Sequence, residues 1–278
     1  MRDSEVEIAR RAFLAAKREP SYLSSDVLEA MDATYPPKPP VAPLGTQPYT
    51  AGDRRAVEML NVLTKLGPSK RLLDLGAGEA MLSLSLQKSG HRLFAIDTKN
   101  NFDRRAWQSG VQCQVMNAAQ LTFPDNFFDL VFSIDAFEHV EDPQAALHQS
   151  IRVVRPGGYI YLDFGPLFNS AQGLHSHRVI HVPYRQYLFS RDVLHQFAAS
   201  RNRGRIHYQH VNQWSLFRFR TLFQDVLDQV ECTRYTENLD TRFVDLIQKY
   251  PSCFRCQVDD FDELIAARIF AVLQKKFA

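Results

Sequence analysis

A short segment near residue 75 combines an apolar strand, a glycine turn and the start of a helix. The run LLDLGAGEA (72–80) is apolar up to Leu75, and Gly76-Ala77-Gly78 follows directly. Glycines allow backbone N–H groups to approach a ligand closely, and the next helix begins at the carboxyl edge of the predicted sheet. The segment therefore predicts a turn that binds a nucleotide or nucleoside, although a G-x-G turn fits several such ligands.

An acidic residue at the end of the second predicted strand supports this prediction. Asp97 ends the strand RLFAID (92–97) and lies 19 residues after Gly78. A carboxylate at this place can accept hydrogen bonds from both ribose hydroxyls of a nucleoside, whereas the alternative is an ordinary surface aspartate. The third glycine of a dinucleotide fingerprint falls at Met81, which argues against a pyrophosphate packed on this turn.

Alternating strands and helices must position these residues. Strands are predicted at 71–75, 92–97, 111–116, 127–134, 159–164, 229–236 and 266–274. Helices are predicted at 79–88, 103–108, 143–154, 215–227 and 240–249. Strands this apolar are typical of a parallel sheet that helices cover on both faces. The pattern predicts a doubly wound α/β fold with a mostly parallel, seven-stranded sheet.

The N-terminal fifty residues differ in pattern from the rest. Residues 4–18 predict a helix, and the proline-rich residues 33–47 predict an extended connector. We expect residues 1–50 to form a helix and a lid or connector, and residues 51–278 to form one domain. Within that domain, residues at about 165–213 interrupt the alternation and predict an insertion that binds the acceptor.

Four sequence blocks carry a family resemblance. They are LDLGAGEA, FAIDTK, NAAQLTFPDNFFDLVFSIDAFEHVEDP and RVVRPGGYIYLDF, in this order from about residue 73 to 164. The chain resembles the class I S-adenosylmethionine-dependent methyltransferases, and within them the ubiquinone-biosynthesis type (methyltransferase domain 11). The resemblance implies a Rossmann-like fold, S-adenosylmethionine as cofactor, and methyl transfer. The final strand ARIFAVLQK resembles the antiparallel last strand of that fold.

The same resemblance implies a set of cofactor-binding residues. They are Asp74, Gly76, Ala77, Gly78, Asp97, Thr98, Asn117, Ala118, Asp135 and Ala136. Asp74 and the glycines would contact the methionine portion, and Asp97 would hold the ribose. Asn117 and Ala118 would flank the adenine, although many relatives have aspartate where Asn117 stands.

The acceptor side is less defined by the sequence. His175, His177 and His181 form an H-x-H-x-x-x-H pattern within residues 173–189. One of them is a candidate general base for an alcohol acceptor, and a metal site or simple packing are the alternatives. No metal is predicted. Candidate substrate contacts are His139, Tyr184 and Trp214, and for each of them a packing role is the alternative.

Charge and composition narrow the classes of partner. The net charge is +2, from 33 basic and 31 acidic residues, which does not favour a nucleic-acid or membrane surface. Cys253 and Cys256 form a C-x-x-C pair, which is half of a zinc site and fits reduced thiols in a cytoplasmic protein. We therefore expect methyl transfer to a small molecule, most naturally to a hydroxyl. The rivals are a nicotinamide-dependent oxidoreductase and a methyltransferase-like binding protein without turnover.

Overall fold

The computed structural model describes residues 2–35, 55–61, 63–64 and 66–277. They fall into two compact units. Unit one contains the described residues up to 35 together with 166–220 and 237–268. Unit two contains the described residues from 55 to 165 together with 221–236 and those from 269 onward. Most of the predicted proline-rich connector lies outside the described residues.

A seven-stranded sheet confirms the predicted fold class. Its strands are β1 (Arg71–Leu75), β2 (Arg92–Asp97), β3 (Gln112–Val115), β4 (Phe128–Ile134), β5 (Val154–Phe164), β6 (Val230–Leu239) and β7 (Ala266–Lys275). Their order is β3-β2-β1-β4-β5-β7-β6. The pairs from β3 through β5 are parallel, and β7 runs antiparallel to β5. The predicted antiparallel final strand is therefore also confirmed.

Helices accompany the parallel strands, and three of them lie where the sequence pattern predicts them, at 79–88, 103–108 and 143–154. They are α3 (55–61), α4 (Met81–Lys88), α5 (Arg104–Gln108) and α6 (Pro143–Val153). The start of α6 shows why this segment is helical: Asp142 accepts a hydrogen bond from the Ala145 N–H at 2.9 Å, and Pro143 stands at the first helical position. An N-cap aspartate and an N-terminal proline both favour helix initiation.

The core of unit two explains the apolar strands. Leu72, Leu130 and Phe132 are completely buried in one hydrophobic cluster with residues of α4. Burying each such side chain contributes about 1.5–3 kcal/mol. The register aligns Leu75 with Ile96, so β1 and β2 end side by side. This alignment brings Gly76 and Asp97 to the same edge of the sheet, which we call the carboxyl edge.

The strand β5 begins earlier than predicted. The sequence pattern predicted a strand from residue 159, because Pro156-Gly157-Gly158 is typical of a turn, but β5 starts at Val154. Val154 pairs with Phe128 and Tyr159 pairs with Leu130, so the residues between them form a bulge rather than ending a helix. Gly158 fits because a Cβ there would lie 2.8 Å from the Asp129 carbonyl oxygen.

Unit one is helical. Its helices are α1 (Arg2–Ala15), α2 (Ser25–Thr34), α7 (Arg185–Leu188), α8 (Arg191–Ser200), α10 (Val244–Lys249), α11 (Pro251–Arg255) and α12 (Asp262–Ile265), and α9 (Leu216–Asp225) begins in it. The sequence pattern predicted a boundary at residue 50, whereas α1 packs against α10 and α11. Phe13 meets Phe261 edge-on at 5.9 Å, and Arg10 pairs with Asp262 at 2.7 Å. The same buried cluster holds Phe13 and Leu28 together with Leu174 and Ile180, so the N-terminal helices share a core with the insertion.

None of the helices in the described part of the chain has both the length and the apolar character needed to cross a bilayer.

Candidate functional site

The turn after β1 has a backbone that requires glycine at one position. Gly76 and Gly78 have φ angles of +72° and +54°. The N–H groups of Gly76 and Ala77 both donate to the Ile96 carbonyl at 2.9 Å. A Cβ on Gly76 would lie only 2.4 Å from the Cβ of Ala136, which follows β4. The glycine thus allows two predicted cofactor-binding segments to touch.

Asp97 organises the same turn from the end of β2. Its Oδ2 accepts a hydrogen bond from the Gly78 N–H at 2.9 Å, and its Oδ1 accepts one from the Lys99 N–H at 3.0 Å. A carboxylate has about four lone-pair sites, so both oxygens can accept further hydrogen bonds from a ligand. Thr98, the next residue, is exposed. The carboxylate is therefore held in place with acceptor capacity left.

Asp74 is the buried carboxyl of the site. It is 4% exposed, and its Oδ2 accepts a hydrogen bond from the Ser83 hydroxyl at 2.8 Å. Burial raises the pKa of Asp74 to about 7; the Asp97 charge adds to the rise, while Ser83 and the Arg55 charge oppose it. A cation that approached this carboxyl would favour its ionised form. Asp74 is thus suited to accept an ammonium group.

The segment after β4 carries a further carboxylate, Asp135. This residue has a φ angle of +52° and forms an ion pair with Arg55 of α3. Its N–H donates to the Asp163 carbonyl at 2.9 Å, and the Ser133 hydroxyl donates to the Leu75 carbonyl at 3.0 Å. These bonds attach the end of β4 to its neighbouring strands.

The third segment at the carboxyl edge follows β3. The Met116 N–H donates to the Asp97 carbonyl at 2.9 Å, which places the end of β3 beside the end of β2. Asn117 is exposed, and its Oδ1 accepts a hydrogen bond from the Ala119 N–H at 2.9 Å. Ala118 is buried. All ten predicted cofactor-binding residues therefore lie at or just after the ends of β1 to β4.

Two residues at this site were not predicted from the sequence. Ser83 holds the Asp74 carboxyl, and Arg55 pairs with Asp135. A signal existed for Ser83, because a serine inside the apolar run MLSLSL of α4 needs a buried partner. No comparable signal marked Arg55, which with Glu58 is one of two charged residues on a short helix.

Charge at the carboxyl edge restricts the ligand. Asp74, Asp97 and Asp135 bring three carboxyl groups to one edge, and Arg55 is the cation that pairs with one of them. Such an edge favours a ligand with a positive charge and hydroxyl groups over a diphosphate. Met81, at the first position of α4, is 7% exposed and occupies the place of the third fingerprint glycine.

The candidate acceptor residues fall in both units. His139 lies in unit two, half-buried on the short helical turn Phe137–His139. In unit one, His175 Nε2 lies 2.8 Å from the Pro166 carbonyl oxygen. The His181 Nδ1 lies 3.5 Å from Asp32. His177 is half-buried in the same loop.

Tyr184 and Trp214 occupy packing positions. Tyr184 is completely buried, its hydroxyl donates to the Leu264 carbonyl at 2.9 Å, and burial raises its pKa. The Trp214 ring lies 4.0 Å from the Arg218 guanidinium and 5.3 Å from the Phe219 ring. These contacts agree with the packing alternative. No three His, Cys, Asp or Glu side chains of the described residues come together as metal ligands.

Comparison with known proteins finds a family match within the parallel part of the sheet. Residues 73–162 match a family model described as a methyltransferase domain. This stretch, about a third of the chain, is therefore similar to a methyltransferase domain. The resemblance that the four sequence blocks indicated is therefore confirmed.

Curated relatives match part of the chain. An uncharacterized protein of Mycobacterium tuberculosis is 40% identical over 34% of this chain and 37% of its own length. The sarcosine/dimethylglycine N-methyltransferase of Halorhodospira halochloris is 34% identical over 42% of this chain and 46% of its own. The demethylmenaquinone methyltransferase of Mycolicibacterium paratuberculosis is 37% identical over 34% of this chain and 40% of its own length. The chain thus covers less than half the length of each of these relatives.

A solved structure supports the fold. It is a sarcosine dimethylglycine methyltransferase candidate from Galdieria sulphuraria, with a TM-score of 0.51 and 15% sequence identity. The match covers 81% of this chain and 84% of that one. At this identity the likeness concerns the arrangement of the chain rather than its substrate.

Proposed function

We propose that the chain is an S-adenosylmethionine-dependent methyltransferase that acts on a small molecule. One observation carries the proposal: Asp97 is hydrogen-bonded to the glycine turn beside the buried Asp74, within the stretch that matches a methyltransferase domain. At one edge of the sheet, Asp97 can accept hydrogen bonds from the ribose hydroxyls of a ligand, and Asp74 can accept them from its ammonium group.

Five of the predicted residues have assigned roles in this proposal. Asp74 holds the amine of the cofactor, and Asp97 accepts from both ribose hydroxyls. The turn at Gly76 lets the backbone approach the methionine portion, while Asn117 and Ala118 flank the adenine. The bound cofactor supplies the reactive methyl group, and the protein aligns the acceptor and excludes water.

Charge favours this cofactor over the rival nicotinamide dinucleotide. S-adenosylmethionine carries a sulfonium and an ammonium, and both are stabilised by an edge that bears Asp74, Asp97 and Asp135. A dinucleotide brings a diphosphate, which such an edge repels. The side chain of Met81 also occupies the place where a dinucleotide-binding turn has its third glycine.

We expect micromolar binding of S-adenosylhomocysteine with an affinity that rises with pH through about 7. The ammonium requires ionised Asp74, whose pKa is raised to about 7, so the unliganded site is mostly protonated below that pH. The linked protonation makes binding about fivefold weaker at pH 6 than at pH 7. Isothermal titration calorimetry at the two pH values measures this ratio.

The Asp74→Asn variant is the matched control for the pH effect. It keeps the shape of the side chain but cannot ionise, so we expect weaker binding with no change between pH 6 and pH 7. Absence of heat at millimolar S-adenosylhomocysteine, or heat with NAD instead, would contradict the proposed cofactor. Unchanged pH dependence in Asp74→Asn would contradict only the amine assignment.

Transfer to a hydroxyl is the finer part of the proposal. An alcohol must lose its proton at or after transfer, and His175, His177 and His181 are the candidate bases. His175 suits the role because its Nε2 donates to the Pro166 carbonyl, which orients the ring and puts the basic lone pair on Nδ1. The relatives named above include an N-methyltransferase, so amines belong in any acceptor panel.

Alanine at the true base is expected to lower kcat by about 10²–10⁴-fold while cofactor affinity stays nearly unchanged. Transfer of a labelled methyl group to hydroxyl and amine acceptors provides the readout. Three single variants that all fold and keep near-normal turnover would exclude a histidine base from this loop.

A further inference from the structure

Arg185 is a buried cation that has no carboxylate partner among the described residues. It is the first residue of α7 and is 0% exposed. Its Nε donates to the Ser176 hydroxyl at 2.7 Å, and its Nη1 donates to the Val182 carbonyl at 2.8 Å and to Gln172 Oε1 at 3.3 Å. Its Nη2 has no hydrogen-bond partner in the part of the chain that the structure describes. A buried guanidinium with an unmet donor is costly unless an anion pairs with it.

A second unmet donor, the Tyr208 hydroxyl, lies near this arginine. Its oxygen is buried and has no hydrogen-bond partner among the described residues. The ring is held by the Arg191 guanidinium, 4.4 Å from its centroid, and by the His195 ring at 6.0 Å. Tyr208 and Arg185 interact electrostatically. Burial raises the pKa of Tyr208 to about 12, so the hydroxyl keeps its proton and remains a donor.

The charges around Arg185 do not balance. The carboxylate that acts on it, Asp32, is already bound by the Arg203 guanidinium at 2.5 Å and by the His181 N–H at 2.9 Å. Burial lowers the pKa of Arg185 to about 9, which still leaves it charged at neutral pH. Asp32 is therefore already paired with Arg203, and the Arg185 guanidinium forms no ion pair with any carboxylate of the described residues.

We propose that unit one binds the carboxylate of a small molecule between the Arg185 guanidinium and the Tyr208 hydroxyl. A carboxylate has two oxygens that can accept from the two unmet donors, and its negative charge can pair with the positive charge of Arg185. A phosphate group carries more negative charge at neutral pH and needs more donors than these two. The site lies within unit one and does not depend on the proposed methyl transfer.

Access to the site requires only a local movement around Tyr208. The short helical turn Tyr208–His210 has backbone contacts within its own segment, and outside it Tyr208 contacts Arg191 and His195 while the His210 ring lies 6.2 Å from the His175 ring. The His210 N–H donates to the His207 carbonyl at 3.2 Å, and Gln213 Nε2 donates to the Tyr208 carbonyl at 2.9 Å. Segments held by such short-range bonds open at low cost compared with global unfolding. We expect opening of this turn to expose the Tyr208 hydroxyl.

Thermal unfolding of the intact chain tests the site. Sodium acetate or sodium benzoate at about 50 mM is expected to raise Tm by about 2–4 °C relative to sodium chloride of equal ionic strength. Arg185→Met removes the charge and should abolish this rise. Tyr208→Phe keeps the ring on Arg191 and removes only the hydroxyl, and we expect it to reduce the rise at least by half.

Arg201→Met is the matched control, because Arg201 is an exposed arginine of the same unit that pairs with Glu29 at 3.4 Å. Its response to acetate and benzoate should equal that of the wild type. The proposal would be overturned if Arg185→Met and Tyr208→Phe both showed the same increase in Tm as the wild type, or if the wild type showed no increase. A rise with sodium phosphate but with neither carboxylate would overturn the carboxylate assignment. If Arg185→Met does not fold, Tyr208→Phe alone decides.

Discussion

Gly76→Ala is expected to destabilise unit two by about 2–5 kcal/mol and to abolish measurable cofactor binding. The added Cβ would lie 2.4 Å from the Ala136 Cβ, a distance that forces the turn or the segment after β4 to move. An alanine must also adopt a φ angle near +72°, which is unfavourable for a residue with a side chain. Urea denaturation and calorimetry with S-adenosylhomocysteine measure the two effects.

Two further variants separate the steric clash from the backbone strain. Gly78→Ala has a φ angle of +54° but would meet no atom within 4 Å, so we expect a loss of only about 1–2 kcal/mol. The double variant Gly76→Ala with Ala136→Gly removes the clashing methyl group and should recover most of the steric part. Equal stability of the Gly76→Ala and Gly78→Ala variants would contradict the role given to the contact with Ala136.

Asp97→Ala is expected to weaken cofactor binding by about tenfold to 150-fold, equivalent to about 1.5–3 kcal/mol. The substitution removes the proposed ribose acceptor and also the two hydrogen bonds from the Gly78 and Lys99 N–H groups. The glycine turn therefore loses part of its support as well as its ligand contact. Calorimetry with S-adenosylhomocysteine gives the ratio of affinities.

Asp103→Ala provides the control for Asp97→Ala. Asp103 also accepts backbone hydrogen bonds near the sheet, from the Arg105 N–H at 2.7 Å, where it caps α5. Its loss should cost about 1 kcal/mol of stability without changing cofactor affinity. A folded Asp97→Ala protein with wild-type affinity would show that the ribose assignment is wrong.

Sequence reasoning predicted the sheet because its strands carry a strong and local signal. β1 and β4 are nearly continuous in apolar residues, and every residue from Leu72 to Leu75 is buried. The glycine turn and Asp97 could be placed for the same reason, since both follow such strands directly. The register then brings them together without further information.

The remaining parts of the site depend on contacts distant in sequence. Arg55 pairs with Asp135, which lies 80 residues further along the chain, and no local sequence pattern predicts that pair. The bulge before Tyr159 was missed because a Pro-Gly-Gly run reads as a turn, whereas here β5 already pairs with β4 at Val154. Helix α2 has few buried residues, Leu28 and Asp32, so its apolar period is too weak to detect.

The histidine loop shows another limit of sequence reasoning. A loop rich in histidine and tyrosine could bind a substrate or pack internally, and residue types alone do not decide between them. The structure gives Tyr184 a packing role, because its hydroxyl is bound to Leu264 inside a core. Arg185, its neighbour, was not singled out, because an arginine in a loop is expected at the surface rather than fully buried.

The position of α1 has a consequence for how the protein is made. Phe13 packs against Phe261, and the ion pair of Arg10 joins residues 252 positions apart. During synthesis from the N-terminus, α1 leaves the ribosome before the strands β1 to β5, and its partners in α10 and α11 leave after them. The strands β1 to β5 follow one another in the sequence, so each is synthesised soon before or after the strands it pairs with. The nascent chain must therefore carry α1 with its apolar face uncovered while most of the sheet is already translated.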